Sequence, residues 1–428
     1  RHAGTYKFPL VYGNAIVGGQ SNTKSYNTSA YSSVRTNALD VFVNHKNANI
    51  TSPFIENNDG CVAKEVKLLG ESEVKNVTDV KLVGNPPTSK NPASVNNVRY
   101  VEFTVSKTAI AQNNAMIAIE DGSGNVIWSW HIWITNNPDV VSDPIEVTNW
   151  DNHKYYFLPA NNIGTIDYAY YISRKDKDIV LTLEQDSPST KTVKVTLKQD
   201  DFELKTSALL YEWGRKDPFI NKSNDLSGNS FNYEQNLDCI ISWGIKNPMT
   251  WYGHFPNVGG QSWAKTMYAN LWTGIESASA SGSTDILVEQ SERTIKTIYD
   301  PSPVGFMVPP NGAFTGFNTV KFPEVGNNPD KNWNVVSTRF DNGYEFYTSL
   351  GPNHTVNTGG PTIRFHADGI RAGDGGYYMA NRGYYYSSIV KSPSSSWHVY
   401  DFLIDNGSFT PSGSASTANG HCIRPIRE

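Results

Sequence analysis

Asp374, Tyr377, Tyr378, Asn381, Arg382 and Tyr385 crowd one short stretch around "GYYMANRGYYYSS", Gly376 to Ser388. Aromatic faces that stack on sugar rings, with Asp, Asn and Arg groups at the rim, are the physical basis of protein–glycan contact. The stretch reads as strand, and successive strand side chains alternate faces. Tyr384 and Tyr386 therefore point one way and Tyr385 the other, so the three cannot share one role. At least one belongs to a core, and at least one is available to a partner.

Other chemistry is sparse. The chain contains no HExxH, GxSxG, GxxxxGKS/T or helix-opening GxGxxG pattern, and its nine histidines are scattered. His131 reads as a satisfied structural histidine, because no second His or carboxylate follows at ligand spacing. A glycosidase-type carboxylate pair is assembled by the fold and is invisible in sequence, so an enzyme acting on polysaccharide stays a minor reading. The turns Asp341–Phe346, Asp368–Gly376 and Ile404–Phe409 supply some oxygens that a calcium ion would need, without a full calcium-loop motif. They read first as hairpin turns that use Gly and Asn for positive φ. No cofactor is expected. Cys61, Cys239 and Cys422 are an odd, widely spaced set, which argues against both a disulfide scaffold and a CxxC metal site.

The elements that must position these residues read as mostly β. Charged residues make up 18% of the 428, the net charge is -5 and aromatics reach 12%, so a basic nucleic-acid footprint is absent and strands with many turns are favoured. No apolar run is long enough to suggest a membrane helix, and the opening "RHAGTYKFPLVYG" reads as strand rather than targeting segment. Thr5–Val11 and Val98–Val105 read as strands. Ala115–Glu120 and Val126–Thr135 read as a hairpin around Asp121–Gly124, apolar on both faces of its second arm. Lys177–Gln185 and Lys191–Gln199 alternate cleanly about "DSPST" and predict a second hairpin. Short helices are expected within Asp225–Ile240 and Trp263–Leu271, and "TPSGSASTANG" (Thr410–Gly420) reads as a surface loop. The organisation is a β-sandwich over 1–140, a small β module or connector over 141–205, and a loop-rich α+β region over 206–428.

Several segments together carry a resemblance. "GTYKFPLVYGNAI", "FVNHKNANITSPFI" and "WSWHIWIT" resemble the N-terminal β-sandwich of large surface proteins of Bacteroidetes. "YEWGRKDPF", "KTIYDPSPVGFMVPPNGAFTGF", "GYYYSS" and "CIRPIRE" resemble their C-terminal domain, which is similar to the Fibrobacter succinogenes major paralogous domain and related to the C-type-lectin and formylglycine-generating-enzyme folds. The resemblance implies an extracellular, surface-attached protein, an accessory or tip subunit of FimA-type fimbriae. Ser302 stands where that pattern has its first cysteine and Cys422 matches the second, so the implied disulfide cannot form; Cys422 is expected as a buried, unpaired thiol, with pairing to Cys239 the alternative. Tyr386 takes a Trp position, which makes Tyr386 and Tyr384 core residues; Trp213, Trp263 and Trp272 match packing aromatics. The reactive cysteine pair of the enzyme relative and the calcium-dependent sugar triplets of true lectins have no match here. Trp251, Tyr252 and His254, in "TWYGHFPNVGGQSW", depart most from the pattern and form a second candidate site.

The leading reading is therefore a non-enzymatic adhesin or binding subunit that grips a glycan or a protein surface ligand through its C-terminal loops. The alternative is a structural assembly or anchor subunit that binds only its neighbours. Such proteins carry a further strand ahead of "GTYKFPLVYG". The resemblance thus implies a sheet edge and an apolar groove that another fimbrial subunit could fill by donor-strand exchange.

Overall fold

Alternation along "VRYVEFTV" becomes the strand Tyr100–Val105, with Val101, Phe103 and Val105 turned inward and buried. The computed structural model describes residues 3–30, 37–72, 75–107, 112–135, 141–159, 162–166, 172–174, 177–185, 191–199, 202–204, 209–219, 232–234, 240–253, 268–275, 294–320, 333–336, 343–373, 377–378, 382–391, 398–405 and 408–428, and it is mostly β. Tyr100–Val105 lies between Gly4–Pro9 and Val77–Val83, antiparallel to both. A second antiparallel sheet runs Glu65–Glu71, Asn113–Glu120, Val126–Ile134. Its hairpin turns where predicted: the Asp121 carboxylate accepts the N–H groups of Ser123 (2.8 Å) and Asn125 (3.0 Å), and Gly124 supplies φ 77°. The inward residues of both sheets, Phe103 and Ile117 among them, share one core.

The C-terminal half is organised by rings. Phe317, Phe346, Phe365 and Phe402 interlock with centroids 5.1–6.0 Å apart, mostly edge to face. Over them lies the antiparallel sheet Arg382–Val390, His398–Asp405, Ser408–Ser416. Thr410–Ser416 was expected as a surface loop and is instead the third strand of this sheet. Its small residues are what the packing requires: a Cβ on Gly413 would stand 2.2 Å from Asp401 Oδ1. A low-complexity composition read as solvated is here a strand pressed against its neighbour.

Two further expectations change. Residues 225–231, 235–239 and 263–267 lie outside the described set, Asn232–Glu234 is a strand parallel to Thr250–Tyr252, and 269–270 form a turn. Among the described residues the α-helix is Ile241–Lys246, placed by Ile241 and Ile245, which share its buried face. Strand pairing also crosses the boundary expected at residue 206. Ile145–Thr148 and Lys154–Phe157 pair with each other, and Phe157 pairs with Ile426 beside Phe306–Met307, so the start and end of the C-terminal half meet in one sheet. Lys177–Gln185 and Lys191–Gln199 form the predicted hairpin, from Lys177↔Gln199 to Gln185↔Lys191.

The N-terminal sheets and the C-terminal half are also joined by a shared core. Trp128 packs edge-on to Tyr12 (4.8 Å) and stacks on Tyr299 (5.8 Å), whose hydroxyl donates to Val43 O at 2.8 Å. Asn270 bridges the two: its oxygen accepts Leu39 N–H at 2.8 Å, and its amide donates to Leu39 O at 2.9 Å and Thr28 Oγ1 at 3.2 Å. Buried polar groups satisfied in this way hold a specific docking geometry.

Candidate functional site

Arg382 heads its strand, exposed and paired with Asp405 at 2.9 Å. Tyr377 and Tyr378 form a short strand on Ile370–Arg371. Asp374, Asn381 and His254 lie outside the described residues, as do Trp263 and Cys239. The other three candidates are interior. Tyr385 is fully buried, its ring 5.0 Å edge-on from Phe365 and its hydroxyl donating to His366 O at 2.5 Å. Trp251 packs on Phe219 at 4.3 Å under the Arg371 guanidinium, in space that exists because residue 420 is glycine. Tyr252 donates from its hydroxyl to Trp243 O and from its backbone N–H to Glu212 Oε1. Their ring faces are covered, which corrects the expectation that Tyr385, Trp251 and Tyr252 contact a ligand. Alternation assigned the faces of Tyr384, Tyr385 and Tyr386; that both faces of this strand are covered is a tertiary fact.

Tyr386 is core, stacked on His421 at 4.1 Å, while Tyr384 is half-buried against the same imidazole at 5.0 Å. His421 Nδ1 lies 3.7 Å from the buried Asp401 carboxylate. Burial pushes Asp401 up to about 7 and His421 down to about 3, so the fold favours both in neutral form. Burial likewise raises Asp368 to about 7, although the Asn162 amide donates to it at 2.8 Å. His131 is the structural histidine expected, bonded through Nε2 to Asn114 Oδ1 at 2.9 Å and lowered in pKa by desolvation.

"YEWGRKDPF" is a packing hub. Arg215 pairs with Glu212 at 2.9 Å and donates to the Thr250 and Asn247 carbonyls; burial raises Glu212 to about 8 against that pairing. Gly214 sits at φ +84° with the Leu271 side chain where a Cβ would be. The indoles of Trp213 and Trp272 donate to Ser387 O (3.0 Å) and Arg215 O (3.1 Å), so both are packing residues as read. Lys216 and Asp217 reach the N-terminal sheet: Asp217 accepts Ser129 Oγ at 2.7 Å, and Lys216 Nζ donates to Ser129 O and Asp217 while lying 4.4 Å over the Trp128 ring.

One constellation escaped the sequence. Cys61 Sγ lies 3.8 Å from His45 Nδ1, and His45 Nε2 lies 3.7 Å from Asp121 Oδ2, the order of a thiol–imidazole–carboxylate relay. Its chemistry is closed off. Cys61 has no exposure, burial pushes its thiol up to about 11, and burial lowers the His45 pKa, so thiolate formation is disfavoured. Cys61 and Cys422 are both free, buried thiols.

The aromatic cluster that does reach the surface joins Trp150 and His354. Their rings stack at 3.8 Å and 8°, and His354 Nε2–H donates to Trp150 O at 2.9 Å. Both are half-buried, and Asp151, Asn152, His153, Asn353 and Thr355 around them are exposed. The loop is built from below. Asn149 Oδ1 accepts the N–H groups of Asp151 (3.0 Å) and His153 (2.8 Å), and its amide donates to Gly312 O at 3.1 Å. Gly316 lets the 3-10 helix Asn311–Phe317 lie flat beneath, since a Cβ there would meet Thr148 O at 2.3 Å. From the other side Asn353 and His354 take φ 55° and 58°, two successive left-handed residues that hold the imidazole on the indole. Nothing in the sequence links "NWDN", Asn149–Asn152, to a histidine 204 residues away.

No known family model matches the chain, and neither a curated protein nor a solved structure matches it.

Proposed function

We propose that this chain is a non-enzymatic, surface-displayed binding subunit that recognises a glycan through loops of its C-terminal half. The observation that carries the reading is the Trp150–His354 stack, rimmed by the exposed Asp151, Asn152, Asn353 and Thr355. A rigid aromatic surface ringed by amide, hydroxyl and carboxylate groups suits a sugar, whose C–H face stacks while its hydroxyls exchange hydrogen bonds. Arg382 and the Tyr377–Tyr378 strand remain in this proposal as a second contact. The paired N-terminal sheets are read as a β-sandwich, the C-terminal half as a lectin-like domain, and the protein as an extracellular accessory or tip subunit of fimbriae.

The test is a glycan and host-matrix array probed with the whole chain, with and without calcium, beside Trp150→Ala. Selective binding that falls roughly tenfold in the variant supports the reading. Absence of any selective hit, or a hit that Trp150→Ala leaves intact, contradicts this site.

The assembly-subunit alternative is favoured by one observation. Gly4–Pro9 pairs on one side only among the described residues, leaving an edge for strand addition. The inward residues Val101, Phe103 and Val105 behind it are already buried, so an added strand would take up edge hydrogen bonds rather than fill an open apolar groove.

A further inference from the structure

The hairpin Lys177–Gln185/Lys191–Gln199 is a two-stranded sheet that pairs with no third strand among the described residues. Its register sets Ile179 opposite Leu197, Leu181 opposite Val195 and Leu183 opposite Val193, so all six side chains occupy one face. They are 40–62% exposed. Lys177 and Lys191 stand at opposite ends of that face, while the other charges of the ribbon fall on the opposite face, where Asp178 faces Lys198 and Lys194 faces Thr182. Strict alternation of this kind is the pattern of a strand with one face meant to be covered. An isolated two-stranded ribbon is marginally stable in water, and roughly 500 Å² of contiguous apolar surface is at the upper end of what monomers leave exposed.

We propose that this face docks on the same face of a second copy of the chain. Three arguments select that occupant. The register places Lys177 and Lys191 at opposite ends of this face, and the six positions between them carry no charge, so meeting itself at that centre buries none. Two ribbons stacked at the usual sheet spacing of about 10 Å remove roughly 1,000 Å² from water, the least that a specific interface requires. An isologous two-fold contact sets the same patch of each copy against itself, and an apolar centre of similar-sized Ile, Leu and Val side chains about the Leu181↔Val195 pair is complementary to itself. A lipid surface is the poorer occupant, because inserting a two-stranded ribbon would bury two open backbone edges in hydrocarbon. Packing face to face leaves those edges in water.

The test is sedimentation of the whole chain over roughly 1–100 µM, a range spanning affinities expected of a minimal interface. The wild type should show a concentration-dependent dimer. Leu181→Glu and Leu181→Lys, at a solvent-facing position, should keep the wild-type circular dichroism and sediment as monomers, with association at least about tenfold weaker. Mixing the two variants should restore a dimer through the opposed charges, which a merely structural role for Leu181 would not do. A wild type that stays monomeric throughout overturns the proposal, and so does a dimer that Leu181→Glu leaves unchanged. A monomer that floats with phosphatidylcholine vesicles would overturn it in favour of lipid.

Discussion

Gly413 shows how a missing side chain can decide a strand. A Cβ there would lie 2.2 Å from Asp401 Oδ1, with the Asp401 carboxyl carbon only 3.2 Å away, and Asp401 is itself buried and unable to swing clear. Gly413→Ala should lower stability by about 1–3 kcal/mol, read as a fall in melting temperature. Asp401 yields a pH prediction. Burial raises its pKa to about 7, so the folded protein keeps a proton that the unfolded chain releases near about pH 4. The stabilisation from holding that proton is complete below the unfolded value and is lost as pH rises through about 7. Melting temperatures of wild type and Asp401→Asn, compared between pH 4 and 8, should show wild type losing ground steadily as pH rises. Parallel profiles would mean that Asp401 ionises in the fold without penalty. At this scale the sequence is legible where a local rule suffices, as with His131, while alternation alone left open which of Tyr384, Tyr385 and Tyr386 is core. It is silent on Tyr385, because whether the second face of a strand is covered depends on Phe365 and Phe402, far along the chain.

At the scale of elements, hairpins were the readable units. Lys177–Gln185 and Lys191–Gln199 keep their predicted ends, since period-two alternation on either side of a turn cluster fixes both strand and register. Segments rich in aromatics but without clean period, such as "TWYGHF", gave no such guide, and Trp251 and Tyr252 turned out to be interior. "YEWGRKDPF" is an element of another kind, a turn whose charges are all committed. Removing one partner of the Lys216–Asp217 pair leaves a buried ammonium without its carboxylate. Asp217→Ala should cost about 3–5 kcal/mol, measured by denaturant unfolding, whereas a change at the exposed pair Lys154–Glu146 should leave the unfolding midpoint almost where it was. The Trp150–His354 platform belongs here too. Each loop is readable as a turn, and only the fold sets indole against imidazole.

For the whole molecule, sequence texture suggested separate regions, yet strand pairing and packing run across the expected boundaries. Trp128 and Tyr299, Asn270 and Leu39, Asp217 and Ser129 tie the N-terminal sheets to the C-terminal half through buried contacts. Hydrophobic texture marks where cores exist but does not say whether two of them merge, because that depends on which outward faces meet. A merged core makes the surface loops of the C-terminal half part of one stiff body, which suits a displayed binding subunit. The most direct test of this merged core is differential scanning calorimetry of the whole chain beside Asp217→Ala. A single transition, with equal calorimetric and van't Hoff enthalpies and shifted as a unit by the variant, is what a shared core predicts. Two resolved transitions, only one of which moves in Asp217→Ala, would show that the halves fold independently and contradict it.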